Sequence, residues 1–230
     1  MIYKNAQPLI VFCLIMMAFM FGSSCGLLGG KDEKKPSGDL MPLEVGNYWV
    51  YETTYLDVMK DTIRYEVTAE VEVPVGDTTY TAYAANFLPF PPDLEPYFWL
   101  RRNGEEGIYS MGGISNADTL FINELEYKLP SEVGESIQAP QVSFSYERFE
   151  FYLSDTLHIT LIDDDREVVT PAGKFSCLVY KFDLNIGDDL DRVNYYMFYS
   201  INVGLVKQEE RAKFENRLMT EQILIEYRTQ

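Results

Sequence analysis

The chain has 230 residues, 47% of them hydrophobic, 14% aromatic and 24% charged, with a formal net charge of -17. That length and apolar content can bury a core, while the acidity argues against nucleic-acid binding, which needs clustered Lys and Arg on phosphate. Three cysteines and a single His exclude a disulfide-rich scaffold and a His-based metal cage. The first element is an address. Residues 1–24 hold one cation, Lys4, and an apolar run from Pro8 to Phe21. The run is shorter than the about 20 residues of a membrane span and has the length of a signal-peptide core. Small residues follow, Gly22, Ser23 and Ser24, and then Cys25.

This end resembles the lipobox of bacterial lipoproteins, with Gly22 standing where that family usually carries Leu. The resemblance implies that residues 1–24 are removed and that Cys25 is lipidated, giving a membrane attachment through an N-terminal lipid anchor. Residues 25–41 are rich in Gly, Lys, Asp, Pro and Ser and read as a flexible tether. Gly26 after the Cys fits outer-membrane sorting of lipoproteins, facing either the periplasm or the cell surface.

From residue 42 onward the chain reads as strands forming a single β domain to residue 230. Trp49, Tyr51 and Tyr55 share a face. In the next strand Tyr65, Val67, Ala69, Val71 and Val73 point one way and Arg64, Glu66, Thr68, Glu70 and Glu72 the other, the period-2 pattern of an antiparallel sheet. Leu157, Ile159 and Leu161 share a face later, and a parity switch at Glu147-Arg148 predicts a β-bulge. Turn signals fall at Val75-Gly76-Asp77, Asn103-Gly104, Gly112-Gly113, Ala172-Gly173 and Gly187-Asp188. Lys207 to Met219 has helical propensity, yet the repeat described next predicts a hairpin turning near Asn216.

MPLEVGNYW from Met41 is echoed by LPSEVGESI from Leu129, and VPVGDTTYTAY from Val73 by TPAGKFSCLVY from Thr170. At the latter offset Gly107 falls on Gly204. These landmarks predict two internally duplicated units, about 42–128 and 129–230. Neither unit buries its apolar face alone, so the expected fold is all-β: one curved antiparallel sheet, either half-barrel or sandwich.

The stretches PLEVGNYWVYE, TPAGKFSCLVYKF and VGLVKQEE resemble those of uncharacterised cell-envelope lipoproteins of Gram-negative bacteria. The resemblance covers most of residues 41–210. It implies fold and compartment, and it brings no catalytic residue.

Candidate chemistry is sparse. His158 lies on the polar face of its strand, where a solvated His is the ordinary reading, and Cys177 reads as an inert buried thiol. Nucleophile, zinc and phosphate motifs are missing. Asp188, Asp189 and Asp191 form a dense acidic cluster, but DLNIGDDLD departs from an EF-hand loop at Gly187 and Asn194. It reads as a solvated hairpin tip, so no metal and no cofactor is assigned. The loop Asn86 to Trp99 is stiffened by Pro89, Pro91, Pro92 and Pro96 and loaded with Phe90, Tyr97 and Trp99. It is either a contact surface or a plug for the open end of the sheet. Tyr196 and Phe198 belong to a strand that is aromatic on both faces, which fits a covered central strand or a cavity wall. Phe90, Tyr97, Trp99, Tyr196 and Phe198 are therefore the candidate contacts for a protein, glycan or lipid ligand. The leading expectation is a lipid-anchored, non-enzymatic envelope protein that binds or scaffolds. The alternatives are a carrier holding a lipid-like or glycan ligand in the concave face, and a carboxylate-based hydrolase needing two facing acids.

Overall fold

The computed structural model describes residues 38–88, 97–104, 107–115, 118–128, 132–145, 150–183 and 193–230. Twelve strands form one antiparallel sheet. They are β1 (Tyr48–Tyr55), β2 (Met59–Val75), β3 (Thr78–Leu88), β4 (Tyr97–Gly104), β5 (Gly107–Ser115), β6 (Thr119–Lys128), β7 (Ser136–Ser145), β8 (Glu150–Thr170), β9 (Gly173–Asp183), β10 (Val193–Ser200), β11 (Gly204–Ala212) and β12 (Leu218–Arg228). The spatial order is β6-β5-β4-β3-β2-β1-β12-β11-β10-β9-β8-β7. Each half of the chain is thus a six-strand meander, and the β1–β12 ladder joins the two. The sheet curves until its edge strands β6 and β7 come near each other, but no ladder closes it. Among the described residues no helix is long and apolar enough to cross a membrane.

The two meanders match in detail. β3 and β9 have 11 residues each, β4 and β10 have 8, and β5 and β11 have 9. Both open on the same turn. Gly46 and Gly134 share φ +94, a left-handed backbone that suits Gly. Gly46 N–H donates to Val67 O at 2.9 Å, and Gly134 N–H to Leu161 O at 2.7 Å. Behind them Asn47 N–H donates to Glu44 O at 3.0 Å, and Glu135 N–H to Glu132 O at 3.1 Å.

The main core lies on the inner face. Trp49, Tyr51, Tyr65, Tyr180 and Tyr199 are each less than 2% exposed there. They pack with Val67, Leu157, Ile159, Met197 and Leu205. Anchoring bonds run across the β1–β12 seam. Trp49 Nε1 donates to the Val203 carbonyl, and the Tyr51 hydroxyl donates to Leu205 O at 3.1 Å. The single apolar face expected for Tyr65 to Val73 is split. Val67 pairs with Ala85 but Ala69 pairs with Ala84, and consecutive residues of a strand lie on opposite faces. The bulge at Thr68 therefore passes Ala69, Val71 and Val73 to a second cluster with Ala82, Ala84, Leu100 and Met111.

One further expectation holds and two others meet the structure differently. Lys207 to Met219 forms no helix; β11 and β12 make the hairpin, with Asn216 at φ +50 beside its turn. Gly112-Gly113 is no turn but lies inside β5, where the pairing slips. A Cβ on Gly112 would come 1.9 Å from Leu120 O, so the glycine allows β6 to approach. The tether reading ran through residue 41, yet Leu40 and Met41 are core residues, 1% and 2% exposed. The bulge expected at Glu147-Arg148 lies outside the described residues.

Candidate functional site

Residues 38–44 form a strap over one end of the sheet. Its start is locked to the β10–β11 turn: Asp39 N–H donates to Asn202 Oδ1 at 3.0 Å, and Asn202 N–H donates to Asp39 O at 2.6 Å. Asn202 holds φ +60, a conformation that Asn tolerates. Gly38 holds φ +145, which favours Gly, and a Cβ there would displace the Asn202 side chain, whose Oδ1 it would meet at 2.3 Å. Downstream, the buried Asn47 side chain donates from Nδ2 to Pro42 O at 2.9 Å, and its Oδ1 accepts from Gln230 N–H at 3.0 Å.

Strap and strands enclose a groove of about 300 Å³, lined by Asp39, Leu43, Glu44, Thr81, Tyr83, Arg102 and Asn103. β3 supplies Thr81 and Tyr83, and β4 supplies Arg102 and Asn103. The Arg102 guanidinium lies 3.8 Å from the Tyr109 ring centroid and 4.6 Å from that of Tyr80, so ring faces hold it in place. The lining is mostly polar, but its groups are already engaged: the Thr81 hydroxyl donates to Glu72 Oε1 at 3.1 Å and Asn103 Nδ2 donates to Met41 O at 3.5 Å. Sequence reasoning missed these residues. The available signal was an adjacent arginine pair, Arg101-Arg102, in a strongly acidic chain.

Arg101 points the other way, into the inner face, where it donates to the Tyr65 hydroxyl at 2.5 Å. Burial raises the phenols of Tyr51, Tyr180 and Tyr199, and that of Tyr65 despite the Arg101 charge beside it. Glu210 also faces inward. Burial raises its carboxyl although Thr220 and the Tyr195 hydroxyl, at 3.4 Å, hydrogen-bond to it. Glu209 faces outward. Burial alone would raise it, but Arg211 at 2.7 Å and Lys207 at 2.9 Å hold it below the usual range. These neighbouring acids occupy opposite faces of one strand and cannot serve as a facing pair.

The expected contact residues do not converge. Tyr97 and Trp99 belong to β4 and are buried. Tyr196 and Phe198 sit half-buried on the outer face of β10, alternating with buried Tyr195, Met197 and Tyr199. Lys207 Nζ lies 5.8 Å from the Phe198 ring. β3, β2, β1, β12 and β11 separate the two sets in the sheet. Phe90, Asp188, Asp189, Asp191 and Cys25 lie outside the described residues. His158 is half-buried opposite Gln138 in the β7–β8 ladder. Cys177 is buried, which pushes its thiol up to about 12 and leaves it protonated at neutral pH. Among the described residues no group of acids, His or Cys is arranged to hold a metal ion.

No protein-family model and no curated protein matches the chain. Two solved structures resemble it in overall trace. One is a provisionally assigned lipoprotein from Parabacteroides distasonis, at 16% identity and a TM-score of 0.48, the match covering 84% of this chain and 100% of that one. The other is a provisionally assigned exported protein with a YmcC-like fold from Bacteroides fragilis, at 15% identity and a TM-score of 0.47, again covering 84% and 100%. At these values the likeness carries no residue, ligand or activity to this chain.

Proposed function

We propose that the protein is a lipid-anchored component of the cell envelope, attached at Cys25 to the outer membrane, with a non-catalytic binding or scaffolding role. The anchor part rests on the lipobox-like run Gly22 to Cys25, and the non-carrier part on the filled inner face among the described residues. Trp49, Tyr51, Tyr65, Tyr180 and Tyr199 from both meanders fill the described concave side, which argues against a carrier cavity there. Burial keeps Cys177 and the inner phenols neutral, so these groups supply no nucleophile at neutral pH. Binding then falls to the outside, and the polar groove beneath the strap is one place for it. The matched opening turns support an origin of the two meanders by internal duplication.

The test is metabolic labelling with an alkyne fatty acid in a Gram-negative host expressing the full chain, followed by membrane fractionation. The parent takes up label and sediments with outer membrane. The Cys25→Ser variant takes up none. A variant labelled as strongly as the parent removes the anchor from this reading.

A further inference from the structure

The end of the sheet opposite the strap carries two neighbouring hairpin tips with an unusual surface. β1–β2 turns through Leu56, Asp57 and Val58, and β11–β12 turns through residues 213–217. They are adjacent, because β1 pairs with β12 and Leu56 N–H donates to Met219 O at 2.7 Å. Leu56 is 55% exposed, Val58 83%, Met59 53% and Phe214 86%. Water does not favour this composition, and neither does the backbone. Leu56 holds φ +47 and Asp57 φ +58, so a bulky Leu occupies a left-handed position that Gly or Asn fills at lower cost. Strain at an exposed apolar tip points to a contact made outside the molecule.

Charge narrows the choice of contact. The chain as a whole carries -17, which repels it from an anionic surface. At these tips Asp57, Asp61 and Glu215 lie among Lys60, Lys213 and Arg217, with Lys60 paired to Glu52 at 2.5 Å, so the apolar residues sit among charges of both signs. The shape is convex. Four side chains on two projecting tips offer well under the ~800 Å² per partner of a stable protein interface. A lipid interface sets no such requirement, because it receives protruding apolar side chains and tolerates mixed charges around them.

We infer that the tips of the β1–β2 and β11–β12 hairpins insert Leu56, Val58, Met59 and Phe214 into the interfacial layer of the bilayer that holds the lipid on Cys25. The inference rests on the lipid-anchor reading, and the chain length permits it. The strap begins at Gly38, beside the β10–β11 turn, while the tips lie at the far end of β11. The 9 residues of that strand span about 30 Å. The residues between Cys25 and Gly38 reach about 45 Å when extended. The anchor can therefore return along the sheet and bring the tips onto the same membrane, with the groove facing away from it.

The test uses the processed full chain, reconstituted in net-neutral phosphatidylethanolamine–phosphatidylcholine vesicles that contain a brominated phosphatidylcholine. Phe214→Trp and Val58→Trp are the reporters. Val169→Trp is the control, 72% exposed beside the β8–β9 turn at the strap end. The native Trp49 and Trp99 are buried and give the background. The expected result is that Trp emission from 214 and 58 shifts to the blue and loses about half its intensity, while that from 169 stays unchanged. Unquenched reporters at 214 and 58 on vesicles that carry the protein overturn the inference and leave the anchor standing. A blue shift that precedes lipid and vanishes on dilution means that the tips meet a second copy, and it too overturns the inference. Parent protein that fails to float with vesicles, or floats equally well with Cys25→Ser, removes the anchor reading and the inference with it.

Discussion

Arg101 carries a full charge into the inner face, where it is 4% exposed. Its guanidinium donates to the Tyr65 hydroxyl and lies 6.0 Å from that ring's centroid. None of the ion pairs among the described residues involves it. A cation held by a phenol and a ring face recovers only part of its lost hydration. Two substitutions separate charge from volume. Arg101→Ala removes the packed stem and strips Tyr65 of its donor, and its expected cost is about 3 kcal/mol. Arg101→Met keeps most of the volume, and its expected stability lies within about 1 kcal/mol of the parent or above it. Urea unfolding followed by circular dichroism measures both, and equal losses would show that the charge itself stabilises. The position was partly legible in the sequence. Tyr97, Trp99 and Arg101 share one parity of β4, so the aromatic burial of the first two carries the third inward. Reading 86–99 as one loop hid this, because β4 already begins at Tyr97.

At the scale of elements the strap separates what composition reveals from what it conceals. Gly, Lys, Pro and Ser before it read as tether, and two apolar residues are too few to show a period. Leu40 and Met41 are buried because Asn202, far along the chain, clasps Asp39 from both backbone directions. Leu40→Ala and Met41→Ala are each expected to cost about 2–5 kcal/mol, the range for large-to-small changes in a packed core. Calorimetry on chains begun at Gly38 and at Glu44 gives a coarser check: the first keeps the parent Tm and the second loses much of it. An unchanged Tm in the second would mean that the strap covers the core without stabilising it. Hairpins fared better than the strap. The Gly76 and Gly173 turns and the reversal near Asn216 were all legible, because turn residues and strand alternation act locally. The bulges at Thr68 and Gly112 were not legible. Each depends on how far the neighbouring strand has slipped, and no residue of the bulged strand encodes that slip by itself.

For the whole molecule the decisive question is whether two meanders share one core or merely adjoin. The inner phenols report on both: Tyr51 and Tyr65 belong to the first, Tyr180, Tyr195 and Tyr199 to the second. Burial is the leading cause that raises each of them above the ordinary 10.0, and burial pushes Cys177 from 9.0 to about 12. The fold therefore keeps these groups protonated where the unfolded chain releases their protons. Stability from them is complete below about pH 9 and falls as pH rises toward the folded values. Each group contributes a slope of up to about 1.4 kcal/mol per pH unit within its window. Several acting together should unfold the protein abruptly in strong base. If Trp49 and Tyr51 lean on the second meander through Val203, Leu205 and Tyr199, tyrosinate absorbance and near-ultraviolet circular dichroism change in a single step. If the phenols ionise in two steps separated in pH, each with its own loss of dichroism, the meanders melt independently and the shared core is refuted. The Tyr51→Phe variant sharpens the comparison. It removes one titrating group and the bond to Leu205, so its transition should come at lower pH through lost coupling yet remain single.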